Sequence, residues 1–164
     1  MVEAGLFRDE RVELLRGLLV EMSPQDPRHS APIDRLTELL VLALAPRARV
    51  RVQLPVALSE DSEPEPDLAV VAAGDYDTEH PTHALLVIEV AGSSLRKDRG
   101  LKASLYAEAG VPEYWIVDLA GGLVEVYTDI VGGVYARMTP FRPGESIRLV
   151  AFPDTVVAVS DILR

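Results

Sequence analysis

The sequence predicts a single α/β domain over residues 1–164: a mixed sheet flanked by helices, with a hairpin before it and an antiparallel β extension after it. Three observations carry this prediction. The elements run hairpin, helix, three strands, helix, strand and further strands. "ALLVIEV" (84–90) and "EYWIVDL" (113–119) are apolar runs of the kind found in strands buried on both faces. Beyond them, Gly121-Gly122 and Gly132-Gly133 punctuate a region that reads as antiparallel strands to the end. At 164 residues, one such domain buries a substantial core.

Taken in order, "VELLRGLLVEM" (12–22) reads as two short strands turning at Arg16-Gly17. The Pro-rich connector "SPQDPRHSAP" follows, and Ser30 is the expected cap of a helix. Its apolar stripe is Ile33, Leu36, Leu40 and Leu44, and Pro46 ends it. "RVRVQLPVAL" (49–58) alternates as a half-buried strand should, with Arg49, Arg51 and Gln53 on one face. The acidic loop "SEDSEPEP" leads to the strand "DLAVVAA" (67–73), which Asp67 opens. A second helix is expected over 95–109, capped by Ser94 and stopped by Gly110.

Bulk composition narrows the function classes. No cysteine occurs, so disulfides and thiolate metal sites are excluded, and three unpaired His argue against a His-based zinc site. No apolar run reaches the length of a membrane span and nothing resembles a signal peptide, so a cytoplasmic setting and no membrane partner are expected. The net charge of −10 opposes tight nucleic-acid binding. Basic residues are nonetheless grouped: five Arg fall in 27–58, and Arg96, Lys97, Arg99 and Lys102 fall in 91–102.

Candidate chemistry begins with Glu89, a carboxylate inside the most apolar strand, where an unpaired charge costs several kcal/mol. It shares strand parity with Leu85 and Val87, and Asp67 opens a neighbouring strand. Two carboxylates on adjacent strands suit a hard divalent cation such as Mg²⁺, with Mn²⁺ as the alternative. On a helical wheel at about 100° per residue, Asp98 and Lys102 fall in the apolar arc of Leu95, Leu101 and Leu105. Of sixteen basic residues only Lys97 and Lys102 are Lys, so a core-facing Lys suggests a compact ammonium doing what Arg would do poorly. The plainer readings are an Asp98–Lys102 pair that stabilises the helix, and a Glu89 that caps a sheet edge or pairs with an Arg.

"EPDLAVV" followed by "LLVIEVAGSSLRKDRGLKASLYAEAGVPEYWIVD" resembles the Uma-type restriction endonucleases, a bacterial family of the PD-(D/E)xK nuclease-like superfamily. "VELLRGLLVEMSP…H" and the closing "VVAVSDIL" share the resemblance, which therefore spans nearly the whole chain. It implies a restriction-endonuclease-like sheet, a homodimer, Asp67 and Glu89 as metal ligands, and the Val90 carbonyl beside them. The superfamily lysine two residues after the acid is replaced by Ala91, and the resemblance moves that role to Lys102.

The leading expectation is a Mg²⁺-dependent endonuclease acting on DNA, bound weakly given the net charge. Asp67, Glu89 and Lys102 form its site, with Arg96, Lys97 and Arg99 on flanking phosphates. Secondary candidates are Glu21 as a third acid, Gln53 as a polar contact, Tyr106 as a support for Lys102, and His29. Tyr114 and Trp115 read as packing, and Asp118 as a turn residue. The competing readings are a non-catalytic homodimeric or DNA-associated module on the same fold, and an RNA-directed hydrolase.

Overall fold

A computed structural model describes residues 11–22 and 24–164. Ser23, at the head of the expected connector, lies outside them. The chain opens with a hairpin of β1 (Val12–Leu15) and β2 (Leu18–Glu21). Arg16 and Gly17 have φ of 50° and 77°, the double positive of a type I′ turn whose twist matches the strands.

Helix α1 spans Pro27–Leu44 and begins earlier than expected. Asp26, not Ser30, is its cap, its carboxylate accepting the His29 N–H at 2.9 Å. Pro27 sits in the first turn, where a missing N–H costs nothing. The stripe Ile33, Leu36, Leu40 and Leu44 is buried as its spacing predicts.

Six strands form the main sheet in the order β3 (Ala48–Val52), β4 (Leu68–Ala72), β5 (Leu86–Ala91), β6 (Tyr114–Asp118), β7 (Leu123–Val131) and β8 (Val134–Phe141). Among these strands only β5 and β6 pair in parallel. That pair needs a crossover, which the helical segment between them supplies. β3 ends six residues short of its expected limit because Gln53 turns into the left-handed region at φ 52°.

The crossover departs from the expected single α-helix. Short α2 (Leu95–Lys97) passes into a π-helical turn, Asp98–Lys102, and then α3 (Ala103–Glu108). Ser94 stands at the cap position but makes no cap bond; its hydroxyl donates to Asp98 Oδ2 at 2.6 Å.

The two sheet faces are packed differently. α1 covers one, with Leu36 and Leu40 against Leu68, Val70, Ile88 and Trp115. The last strands, β9 (Ser146–Arg148) and β10 (Val156–Ala158), and α4 (Val159–Ile162) close this side, burying Ile147, Val157 and Ile162. The C-terminal extension thus ends in a helix rather than a strand and seals the core. The crossover covers the other face, where Leu105 and Tyr106 meet Val87, Tyr114 and Ile116. Each such fully buried apolar side chain contributes about 1.5–3 kcal/mol. No helix among the described residues is long and apolar enough to cross a membrane.

Candidate active site

Strand parity puts four acids on the crossover face of the sheet. Glu89 alternates with Val87 and Ala91, and Asp67 with Ala69 and Val71, all of which pack on that side. Glu125 shares a row with Glu89, since Glu89 pairs Ile116 and Ile116 pairs Glu125. Asp118 shares parity with Ile116.

Three elements converge on Glu89. Lys102 Nζ donates to Glu89 Oε1 at 2.7 Å and the Tyr106 hydroxyl donates to the same oxygen at 2.9 Å. Asp67 is joined to the same strand by the Val90 N–H, which donates to Asp67 Oδ2 at 2.7 Å. His29 Nε2, from the first turn of α1, stands 3.4 Å from that oxygen. Glu89, Lys102, Asp67 and His29, with Gln25, Ser94 and Asp98, line a cleft of about 70 Å³.

The third acid in this cleft is Glu13, not Glu21. Glu13 is 2 % exposed, with Oε1 3.1 Å from Lys102 Nζ and 3.5 Å from Lys97 Nζ. Its Oε2 accepts the Glu65 N–H at 3.2 Å. Oε1 is close to both ammonium groups but aligned with neither as a hydrogen bond, so it is paired only through charge. Glu21 is exposed at the outer end of the hairpin, opposite Val12. The near-palindrome "VELLRGLLVE" offers two equivalent glutamates, and parity separates them. Glu13 alternates with Leu15, which is 1 % exposed, whereas Glu21 alternates with Leu19, which is 39 % exposed.

The π turn explains two further departures. Its i→i+5 bonding adds a residue to one turn, so a wheel drawn at constant pitch fails across it. Asp98 and Lys102 are both buried, yet they do not pair as an i,i+4 couple: Asp98 takes the Ser94 hydroxyl, and Lys102 takes Glu89 and Glu13. Lys97 turns toward Glu13 rather than outward. Arg99 is engaged as well, its Nε donating to Glu125 Oε1 at 3.0 Å while Nη2 closes on the same carboxylate and lies 3.6 Å from Asp118. Of the three cations expected to face phosphates, only Arg96 is exposed without an ion pair among the described residues. Gln53 also lies away from the cleft, accepting from Arg11 at 3.5 Å.

Charge accounts for the protonation pattern. Burial pushes Glu89 up to about 8; Lys102 draws it back, and Asp67, Asp98 and Glu13 add to the rise. Burial acts to lower Lys102, but Glu89, Glu13 and Asp98 together raise it above its ordinary value. In an isolated ion pair the acid would be lowered as the lysine was raised. Here Glu89 rises because burial, helped by the neighbouring acids, outweighs Lys102, while the same acids hold Lys102 charged against its own burial. The interaction with Asp67 likewise holds His29 above the usual imidazole value, against burial, with the Val90 backbone contributing.

The donor set is made of carboxylate oxygens, the ligand type that would suit a hard cation rather than a soft one. Among the described residues no three His, Cys, Asp or Glu side chains are grouped to enclose a metal by themselves. An ion held by one or two carboxylates that keeps several waters is the binding mode of Mg²⁺. Asp67 and Glu89 each have one carboxylate oxygen with no hydrogen bond from the described residues, and the cleft carries more acid than its lysines neutralise.

A mixed sheet with this acid–lysine cleft is the architecture of restriction-endonuclease-like nucleases. The chain belongs to the Uma2 family, described as "Putative restriction endonuclease", whose model matches residues 4–160. Among solved structures it is similar to "a putative nuclease belonging to DUF820" from Anabaena variabilis ATCC 29413. The TM-score is 0.76 at 16 % identity, over 94 % of this chain and 90 % of that one, a likeness of fold. A search of curated proteins finds no match.

Proposed function

We propose that this protein is a divalent-metal-dependent endonuclease that hydrolyses DNA phosphodiester bonds. The observation that carries the reading is the buried Lys102 ammonium, 2.7 Å from Glu89 in the cleft that also holds Asp67. Asp67 and Glu89 would hold the ion, Mg²⁺ or Mn²⁺, with the Val90 carbonyl beside them. Once bound, the ion supplies Lewis acidity toward the scissile phosphate and acidifies water near neutral pH.

The chain's own residues do the rest. Lys102, kept charged by its acids, orients the attacking water and meets the negative charge that develops on the phosphate. Tyr106, which burial keeps neutral, fixes Glu89 Oε1 so that its second oxygen faces the cleft. Glu13 anchors Lys102 from the hairpin side.

The net charge of −10 favours a second reading, a non-catalytic homodimeric or DNA-associated module on the same fold. Calorimetric titration of Mg²⁺ and Mn²⁺ into wild type and Asp67→Ala, paired with plasmid nicking, separates the two. Under the nuclease reading binding heat is lost in Asp67→Ala, and metal-dependent nicking is lost in Glu89→Ala and Lys102→Ala. If neither metal binds wild type and nicking is unchanged in those variants, the nuclease reading falls. Light scattering on the same sample checks the homodimer implied by the family resemblance.

A further inference from the structure

If Lys97 and Arg99 are committed to acids, the strand must find its cations elsewhere. A hollow of about 350 Å³ adjoins the cleft, and a second of about 490 Å³ adjoins the first. The first shares His29 and Ser94 with the cleft, and the second shares Arg28 and Leu119 with the first, so the three form one path. Arg28 lines both hollows; Arg35 and Arg164 line the second. Asp26 is the sole acid on either wall among the described residues, and its carboxylate is already engaged as the α1 cap. In a chain with a net charge of −10, that concentration of arginine is out of proportion.

Helix geometry gives the path its spacing. Arg28 and Arg35 are seven residues apart on α1, two turns along one face and about 10 Å along its axis. Ala31 and Pro32 lie between them on the same wall, small enough to leave it open. That separation lets the two guanidinium groups reach different phosphates of one strand. Arg35 is fixed by donating to the Ile162 carbonyl at 2.9 Å, and Arg28 makes no ion pair among the described residues.

We propose that the groove along α1, from the Asp67/Glu89 cleft past Arg28 to Arg35 and Arg164, is the track for the phosphate backbone of the substrate strand. This rests on the nuclease reading and replaces the 96–99 segment as the strand-binding surface. Its contacts are few. Neutralising two or three phosphates gives a slope of about −2 to −3 in log affinity against log salt.

Fluorescence polarisation of a labelled oligodeoxynucleotide, single-stranded and as duplex, in EDTA over about 50–200 mM salt tests this. Arg28→Ala should lower affinity roughly tenfold at the low-salt end and reduce the slope by about 1. Arg28→Lys should keep the slope, and Arg137→Ala, on the far strand β8, should change nothing. Equal binding by wild type and Arg28→Ala, or loss in Arg96→Ala instead, overturns the track. Nicking by wild type with an unchanged KM in Arg28→Ala overturns the track and leaves the nuclease reading standing. Binding that depends on Arg28, without nicking in Mg²⁺ or Mn²⁺, supports the track and removes the nuclease reading.

Discussion

Replacing Lys102 by Met removes one ammonium and leaves two carboxylates facing each other in a buried site. Nζ lies 2.7 Å from Glu89 and 3.1 Å from Glu13, and all three residues are almost wholly out of solvent. Breaking a buried pair by deleting one partner costs about 3–5 kcal/mol, because the surviving charge is uncompensated. For a chain of this size, each kcal/mol lowers Tm by about 2–4 °C, so the variant should melt roughly 6–20 °C below wild type. Glu89 already sits at about 8, so a proton can substitute for the missing ammonium. The deficit should therefore shrink as pH falls. Adding Glu89→Gln should recover part of the loss, with a coupling of about 0.5–3 kcal/mol. Urea unfolding of the two single variants and the double variant measures this cycle. A Lys102→Met protein as stable as wild type at pH 8, or a Glu89→Gln change that deepens the loss, would refute the electrostatic account.

Two other perturbations probe the frame around the cleft. Arg99→Ala strands Glu125, which is 3 % exposed and, among the described residues, keeps only the Tyr127 hydroxyl at 2.8 Å. Leaving such a group short of partners costs about 1–3 kcal/mol, and Glu125→Gln in the same chain should return part of it. Arg99→Lys should rescue poorly, since an ammonium cannot reproduce the guanidinium fork, and chemical denaturation of the three proteins decides this. Glu113 tests linkage away from the cleft. Burial raises its pKa against the Val150 and Trp115 N–H groups that donate to it, so the native state holds its proton to higher pH than the unfolded chain. Its contribution to stability is complete below the ordinary carboxylate value and declines as pH rises through the raised one. Glu113→Gln should flatten that decline in urea midpoints taken across pH, and parallel profiles would exclude it.

The order of elements, the central place of β5 and the buried stripe of α1 were legible because each rests on one periodicity maintained over a whole element. Glu89 was legible for the opposite reason, as a charge that broke such a pattern. The hairpin acid was read as Glu21 because periodicity alone does not say which face of a two-stranded ribbon meets the core. Leu15 and Leu19 look alike in sequence and differ only in what lies above them. The π turn was invisible, since nothing in "KDRGLK" marks an inserted residue, and the orientations of Lys97 and Arg99 went with it. The α1 cap was misplaced from Asp26 to Ser30, both being good capping residues, because Pro27 at the first turn was read as part of a connector.

The four acids on the crossover face divide into two pairs by what answers them. Asp118 and Glu125 are met by Arg99, and Asp118 Oδ1 also accepts the Gly121 N–H at 2.8 Å. Tyr127 completes Glu125, so this pair is satisfied within the protein and ties the π turn to β6 and β7. A few residues away on the same face, Glu89 is met by one lysine that Glu13 also claims and Asp67 by the Val90 N–H and His29, and both acids open on a cleft. If burying acids here served stability alone, an arginine fork would answer both pairs equally well. The first pair holds the turn that carries Lys102, and the second keeps unspent negative charge where that lysine arrives. This asymmetry is the physical ground on which chemistry is proposed at Asp67 and Glu89, and structure at Asp118 and Glu125.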